Sequence, residues 1–176
     1  MKKLTLTLIF GLLFAGFTVS LQAQAQTTVN ATASAELVEA LTASEITQLN
    51  FGRFVPGSTA GTIKIASTSD GTRTKEDGVL LVGGGSPGSA EFTISGYANE
   101  TVNVSLPADG AVDLTHGTSG EILNVATFTA STKNPALNAS GEATIYVGGS
   151  LTIKSASENL TKGLYTGTYT VTFQYP

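Results

Sequence analysis

Hydrophobic and polar residues alternate most cleanly over residues 163–176, which read Gly-Leu-Tyr-Thr-Gly-Thr-Tyr-Thr-Val-Thr-Phe-Gln-Tyr-Pro. Tyr165, Gly167, Tyr169, Val171, Phe173 and Tyr175 share one parity. Leu164, the threonines and Gln174 share the other. Side chains of a strand point alternately to opposite faces. The pattern therefore predicts one half-buried strand with an aromatic face inward and a threonine face outward.

The same period recurs upstream. Val29, Ala31, Ala33, Ala35 and Leu37 alternate with polar residues, predicting a strand with an unusually small inward face. Residues 37–46 fit a helix or a strand. Residues 49–55 read as extended and closed by the turn pair Pro56-Gly57, and residues 61–66 set Ile63 and Ile65 inward. Asp70-Gly71 and Asp77-Gly78 are turn dipeptides. The continuous apolar run 79–82 predicts a strand buried on both faces. Ala90, Phe92 and Ile94 alternate, as do Val102, Val104 and Leu106, and Val112 with Leu114 forms a short piece. Between residues 120 and 130 the parity slips, with Leu123 and Val125 on one side and Phe128 on the other. One extra residue, a β-bulge, brings all three to the core. From Ala143 to Ile153 one parity is kept through Gly148-Gly149, predicting a long strand bent at the glycines that crosses between sheets.

Nine or ten such segments, punctuated by turns and without an amphipathic helix, predict an all-β fold, an antiparallel β-sandwich in a single domain over residues 26–176. Residues 1–25 are expected to be a signal peptide. Lys2 and Lys3 precede an apolar run over residues 4–21, and Ala23-Gln24-Ala25 supplies the small-x-small cleavage site. The run is about long enough for a membrane span, which takes roughly 20 residues. It carries Gly11 and Gly16, however, and leads straight into the cleavage site. The expected location is therefore secreted, in the periplasm, at the outer surface or extracellular.

Cleavage after Ala25 leaves 151 of the 176 residues, with 7 basic against 13 acidic side chains and a net charge of −6. An acidic surface without a basic cluster argues against nucleic acid, and against a membrane partner once the signal is removed. With no cysteine, the chain has neither a disulfide framework nor a thiolate metal site. Stability must come from the core and the ladders.

Three stretches carry a family resemblance: Leu49-Asn50-Phe51-Gly52 followed by Pro56-Gly57, then Asp70-Gly71-Thr72-Arg73, and finally residues 163–175. In this order and spacing they resemble the bacterial family known as domain of unknown function 4402. The resemblance implies a secreted, cysteine-poor sandwich of immunoglobulin-like type and no established activity. The end of the chain is also similar to chaperone–usher fimbrial subunits and spore coat U type proteins. Those have a glycine fourteen residues from the end and a penultimate aromatic, the places of Gly163 and Tyr175. Such subunits usually carry a disulfide, absent here, and receive a missing strand from a neighbour's N-terminal extension. Here that extension would offer mainly alanines, each forfeiting roughly 2 kcal/mol per pocket against leucine. The expectation is instead that residues 29–37 form the domain's own first strand.

No catalytic, cofactor-binding or metal site is expected. Gly84-Gly85-Ser86-Pro87-Gly88 formally matches a serine-hydrolase elbow, with Asp109, Asp113 and His116 following. The residue after the serine must donate its backbone N–H to the oxyanion, and Pro87 has none. His116, the single histidine, reads as a surface residue beside a turn. The glycine run lacks the Lys-Ser/Thr of a phosphate loop. Asp70, Glu76 and Asp77 lack a regular calcium-loop spacing. Five Asn-x-Ser/Thr sequons, at Asn30, Asn99, Asn103, Asn138 and Asn159, read as coincidence in so Asn- and Thr-rich a chain. Tyr165, Tyr169 and Tyr175 read as core residues with hydroxyls at a rim.

What remains is a non-catalytic structural or interaction domain of the bacterial surface, serving an appendage, a matrix or adhesion, with self-association or a cell-surface protein as partner. The alternatives are a monomeric module binding a glycan or small molecule through loops 70–78 and 83–88, and a pilin-like subunit that exchanges a donor strand.

Overall fold

A computed structural model describes residues 26–176. The expected signal peptide lies outside them. The described chain is all-β and antiparallel. It runs β1 (Thr42–Thr47), β2 (Arg53–Ile65), β3 (Arg73–Val82), β4 (Ala90–Ser95), β5 (Asn103–Ser105), β6 (Val112–His116), β7 (Ile122–Ala130), β8 (Glu142–Ile153), a 3-10 turn (Ala156–Glu158), β9 (Tyr165–Thr166) and β10 (Thr172–Gln174). No described helix is long and apolar enough to cross a membrane. Residues 26–36 do not belong to the compact unit formed by Leu37–Pro176.

β8 organises the larger unit. One of its edges is taken by β7, from Ala130 opposite Val147 to Val125 opposite Leu151. The other edge changes partner midway. β4 pairs with it from Glu142 to Val147, and β2 from Gly149 to Ile153. The change falls at Gly148, as the glycine pair predicts. A Cβ on Gly148 would lie 2.2 Å from the carbonyl oxygen of Ile65. Only a residue without a side chain lets the incoming β2 backbone approach so closely. The sheet curls about this point, and its inner face gathers Ile63, Ile94, Leu123, Ile145, Leu151 and Ile153, all fully buried. The expected bulge in β7 is present. The register shifts between Val125 and Thr127, and Leu123, Val125 and Phe128 all reach the core.

Several expectations are corrected. The segments 49–55 and 61–66 are not separate strands, because β2 runs through Pro56-Gly57 and bulges there. Asp77-Gly78 sits inside β3 opposite that bulge rather than in a turn, with Asp77 at φ 48°. The ribbon of β2 and β3 bends back on itself at this place, as Arg73 demonstrates. Arg73 pairs with Ile65 at one limb, and its guanidinium donates to the carbonyls of Phe51, Arg53 and Val82 at the other, the last at 3.1 Å. Nine residues of straight strand span about 30 Å, so Arg73 could not reach Val82 along an unbent β3. The run 79–82 is not buried on both faces either. β3 pairs only with β2, and Leu80 is 62% exposed. An apolar run specifies burial only when a second neighbour covers the strand, and β3 is an edge.

Both chain ends also differ from expectation. Residues 26–41 form no strand, and Val29 and Leu37 are 83% and 97% exposed. A face of three alanines buries too little apolar area to offset the entropy of ordering a strand. The predicted C-terminal strand keeps its parity, since Tyr165, Tyr169, Val171, Phe173 and Tyr175 are half-buried and the threonines exposed. Its ladder is nevertheless broken. Tyr165-Thr166 pair with His116-Thr115, and Thr172–Gln174 pair with β5. No strand is assigned between them.

Two substitutions test this framework by chemical unfolding. Gly148→Val should destabilise the protein by about 2–3 kcal/mol through overpacking against the Ile65 carbonyl. Arg73→Lys keeps the charge but loses the fork that ties one limb of the ribbon to the other, and should cost about 2 kcal/mol.

Candidate functional site: an open strand edge

The C-terminal segment lies along β6 and then β5, which share one of its edges. Between these two ladders the chain from residue 106 to 111 loops outward and leaves a shallow cavity of ≈ 370 Å³ beside Thr168, Tyr169 and Thr170. Along residues 167–171 no backbone hydrogen bond to another described segment is made. The opposite edge of the segment carries no strand at all, because β9 pairs only with β6 and β10 only with β5. β1 is likewise an end strand, paired only with β4, and every one of its residues is exposed.

These two open edges lie on the same side of the fold. The Tyr175 hydroxyl donates to the Glu39 carbonyl just before β1, at 3.0 Å, and accepts from the Tyr97 amide at 2.7 Å. Further along, the charge of Glu45 in β1 acts on Tyr169. The aromatic face of the segment is seated on the curled sheet. Phe173 packs against Phe92 with ring centroids 5.9 Å apart, and Tyr169 against Phe128 at 4.9 Å. Burial first, and Glu45 second, hold the Tyr169 phenol well above its ordinary range, so it is a protonated donor.

The near end of the segment is latched by β6 and β7. His116 is buried, not a surface residue as its sequence position implied. Its Nδ1 accepts from the amide of Ser119 at 3.1 Å, and the Tyr165 ring lies against it at 5.2 Å. A Cβ on Gly163, which has φ +148°, would meet His116 Nε2 at 2.2 Å. That contact explains a glycine here without reference to any partner. The Tyr165 hydroxyl lies 3.0 Å from Glu121 Oε2 and 2.8 Å from the Thr161 carbonyl, both acceptors, and shares its single hydrogen between them. Glu121 also accepts from the Thr161 amide at 2.6 Å. That amide is the main reason its carboxyl sits below the usual range, with the Thr161 and Tyr165 side chains and Lys154 adding to it. Burial and the Glu121 contact push the Tyr165 phenol up.

The other residues weighed from sequence fall elsewhere. Ser86 is exposed in a loop that leads into β4, and His116 is engaged by Ser119, Gly163 and Tyr165 at the far latch, so the elbow-like residues do not meet. Glu76 pairs with Lys64, while Asp77 stands opposite Gly61 within the ribbon. Asp70 accepts from the Thr68 and Thr72 hydroxyls, which lower its pKa and brace the turn. Among the described residues no three potential ligands cluster around a metal position. Two of the loops singled out for ligand binding do converge. Residues 69–71 and 86–89, tied by Ser89 Oγ donating to the Thr68 carbonyl at 2.7 Å, line a cleft of ≈ 280 Å³ with Gln48, Glu91 and Tyr146. Sequence reasoning missed the roles of Arg73 and of the latch, because both depend on which segments become neighbours.

The chain belongs to the family described as Domain of unknown function (DUF4402), whose pattern matches residues 41–175. No curated protein and no solved structure matches it. The motif residues sit where the fold is hardest to close. Asn50 Oδ1 accepts from the Gly52 amide at 2.7 Å while its backbone pairs with Gly88, Pro56-Gly57 form the ribbon's bulge, and Arg73 clamps the two limbs.

The latch gives a pH prediction with a definite sign. A carboxyl whose pKa is lowered by folding stabilises the fold above its unfolded value, near 4.5, and that contribution is lost as pH falls through the lowered folded value. The difference in melting temperature between the parent and Glu121→Gln should therefore be largest above pH 5 and shrink as the pH falls below that. A difference that does not change with pH would show that Glu121 acts only through its size and polarity.

Proposed function

We propose that this chain is an exported, non-catalytic structural subunit of the bacterial surface. In this reading it is an immunoglobulin-like sandwich left one strand short, which associates by strand addition. The observation that carries it is the pair of open edges, β1 on one side and residues 167–171 on the other, joined at one end by Tyr175 and Glu39. Unpaired strand edges are templates for pairing, and proteins that keep them exposed without protection tend to use them. Each backbone hydrogen bond formed there contributes roughly 1 kcal/mol, and the half-buried aromatic row beneath adds apolar area.

The strand supplied is the N-terminal stretch of a second molecule. Residues 26–36 are exposed and alternate apolar with polar positions from Val29 to Ala35. The link into β1, Glu36-Leu37-Val38-Glu39-Ala40-Leu41, contains no Gly, Pro, Asn or Asp with which to reverse direction. Secretion by a cleaved signal peptide and service in an appendage, matrix or adhesive layer belong to the same proposal.

The purified mature protein is expected to form oligomers that survive detergent and dissociate on heating, and deletion of residues 26–36 should leave a folded monomer. A clean monomer at high concentration, with the stretch intact, would overturn the assembly reading. The convergence of loops 69–71 and 86–89 favours a second reading, a glycan-binding module. Heat released on titrating neutral saccharides, abolished by Glu91→Ala, would support it.

A further inference from the structure

The cleft between loops 69–71 and 86–89 has walls that are already tied and a lining that is not. Glu91 on β4 stands directly opposite Thr47 on β1 and Tyr146 on β8. Glu91 and Tyr146 have the parity opposite to the buried Phe92 and Ile145, so both point away from the core. The two loops flank this row. Asn50 pairs with Gly88 through both of its backbone groups at 2.9 Å, and Thr47 Oγ1 donates to the Ser89 carbonyl at 3.3 Å. A Cβ on Gly71 would collide with the Ser89 amide, so the loops lie in contact. Walls fixed in this way need little further ordering when a ligand enters.

The lining side chains are uncommitted. Among the described residues, those of Gln48, Ser69, Ser86, Glu91 and Tyr146 have no hydrogen-bond partner. Asp70 joins them, its carboxylate braced by the Thr68 and Thr72 hydroxyls. The cleft thus presents amide, hydroxyl and carboxylate groups and one aromatic ring, with no Lys, Arg or His among its lining residues. Two carboxylates without a cation repel an anionic ligand. They do not make a metal centre either, since no third potential ligand gathers with them among the described residues. A sugar ring suits what is left. Two adjacent hydroxyls can donate to one carboxylate in charge-assisted hydrogen bonds, and the apolar C–H face of the ring can lie on a tyrosine. Glu91 and Tyr146, side by side across a ladder, offer both at once. The cleft holds ≈ 280 Å³, below the roughly 300 Å³ at which drug-sized pockets begin, which is room for one ring rather than a chain.

We infer that this cleft is a subsite for one uncharged hexopyranose ring, with Tyr146 as its platform and Glu91 as the acceptor of two adjacent hydroxyls, and that its carboxylates exclude acidic sugars. The inference rests on the glycan-binding reading and adds the charge of the sugar and the residues that select it.

Isothermal titration of the full mature chain with the methyl glycosides of glucose, galactose and mannose, each beside its uronate, tests it. At least one neutral glycoside should bind, and its uronate should bind about tenfold more weakly. Glu91→Gln keeps the size of the side chain and removes its charge. It should weaken the neutral glycoside and narrow the gap to the uronate. Tyr146→Phe should bind like the parent, whereas Tyr146→Ala should lose about tenfold. Each variant should melt like the parent, because neither side chain is hydrogen-bonded within the fold. A uronate bound as tightly as its neutral counterpart overturns the inference, as does a gap that Glu91→Gln leaves unchanged. Either result keeps a glycan-binding module with different selectivity or a different site. If no glycoside or uronate binds at millimolar concentration, the glycan-binding reading itself falls and takes this inference with it.

Discussion

The backbone of β8 must satisfy its hydrogen bonds along twelve residues while three other strands compete for its two edges. Everything else in the curled sheet follows from how that competition is resolved. β7 takes one edge. β4 and β2 divide the other, meeting at Gly148, where the absence of a side chain lets a second strand begin as the first departs. A buried peptide group left unpaired at such a junction would cost about as much as a lost hydrogen bond. The hand-over therefore has to occur within a residue, and the paired glycines permit it. Because β2 and β4 leave β8 in different directions, the sheet cannot stay flat. It closes over Ile145, Val147, Leu151 and Ile153, which share one parity of β8 and are all buried.

Side-chain parity was therefore the most legible feature of the sequence. Period two reports which face is wet, and it located the core positions of β4, β7 and β8, including the slip that requires a bulge near Ala126. It even holds across the C-terminal segment, where no continuous ladder exists. What parity cannot report is the number of neighbours a strand has. Residues 79–82 are as apolar as a central strand yet lie at an edge. Residues 29–37 alternate like a strand yet form none. The same limit hid the candidate edge. An open edge is an absence of partners, and no residue type encodes an absence. The sequence carried only indirect signs of it, the alanine-faced stretch at one end and the threonine-faced stretch at the other.

Arg73 shows how a short motif can be structural throughout. From one limb of a bent ribbon its fork reaches three carbonyls in the other, so the guanidinium ties together two parts that no ladder joins. Asp70 and Asn50 complete the corner by bracing the turns on either side of it. With these oxygens and donors satisfied inside the molecule, the three residues account for closure of this corner of the fold.

An alanine-faced strand is a poor plug for an empty pocket, and that was the reason to expect residues 29–37 to complete their own domain. The face of the C-terminal segment is already filled: Tyr165, Tyr169, Val171, Phe173 and Tyr175 are each half-buried and packed against the core. Bulky residues arriving there would have to displace those rings, and overpacking of this kind costs as much as a void of similar size. Under the proposed strand addition, the small side chains that leave the N-terminal stretch too weak to form a strand of its own are also those that an already filled aromatic face would admit.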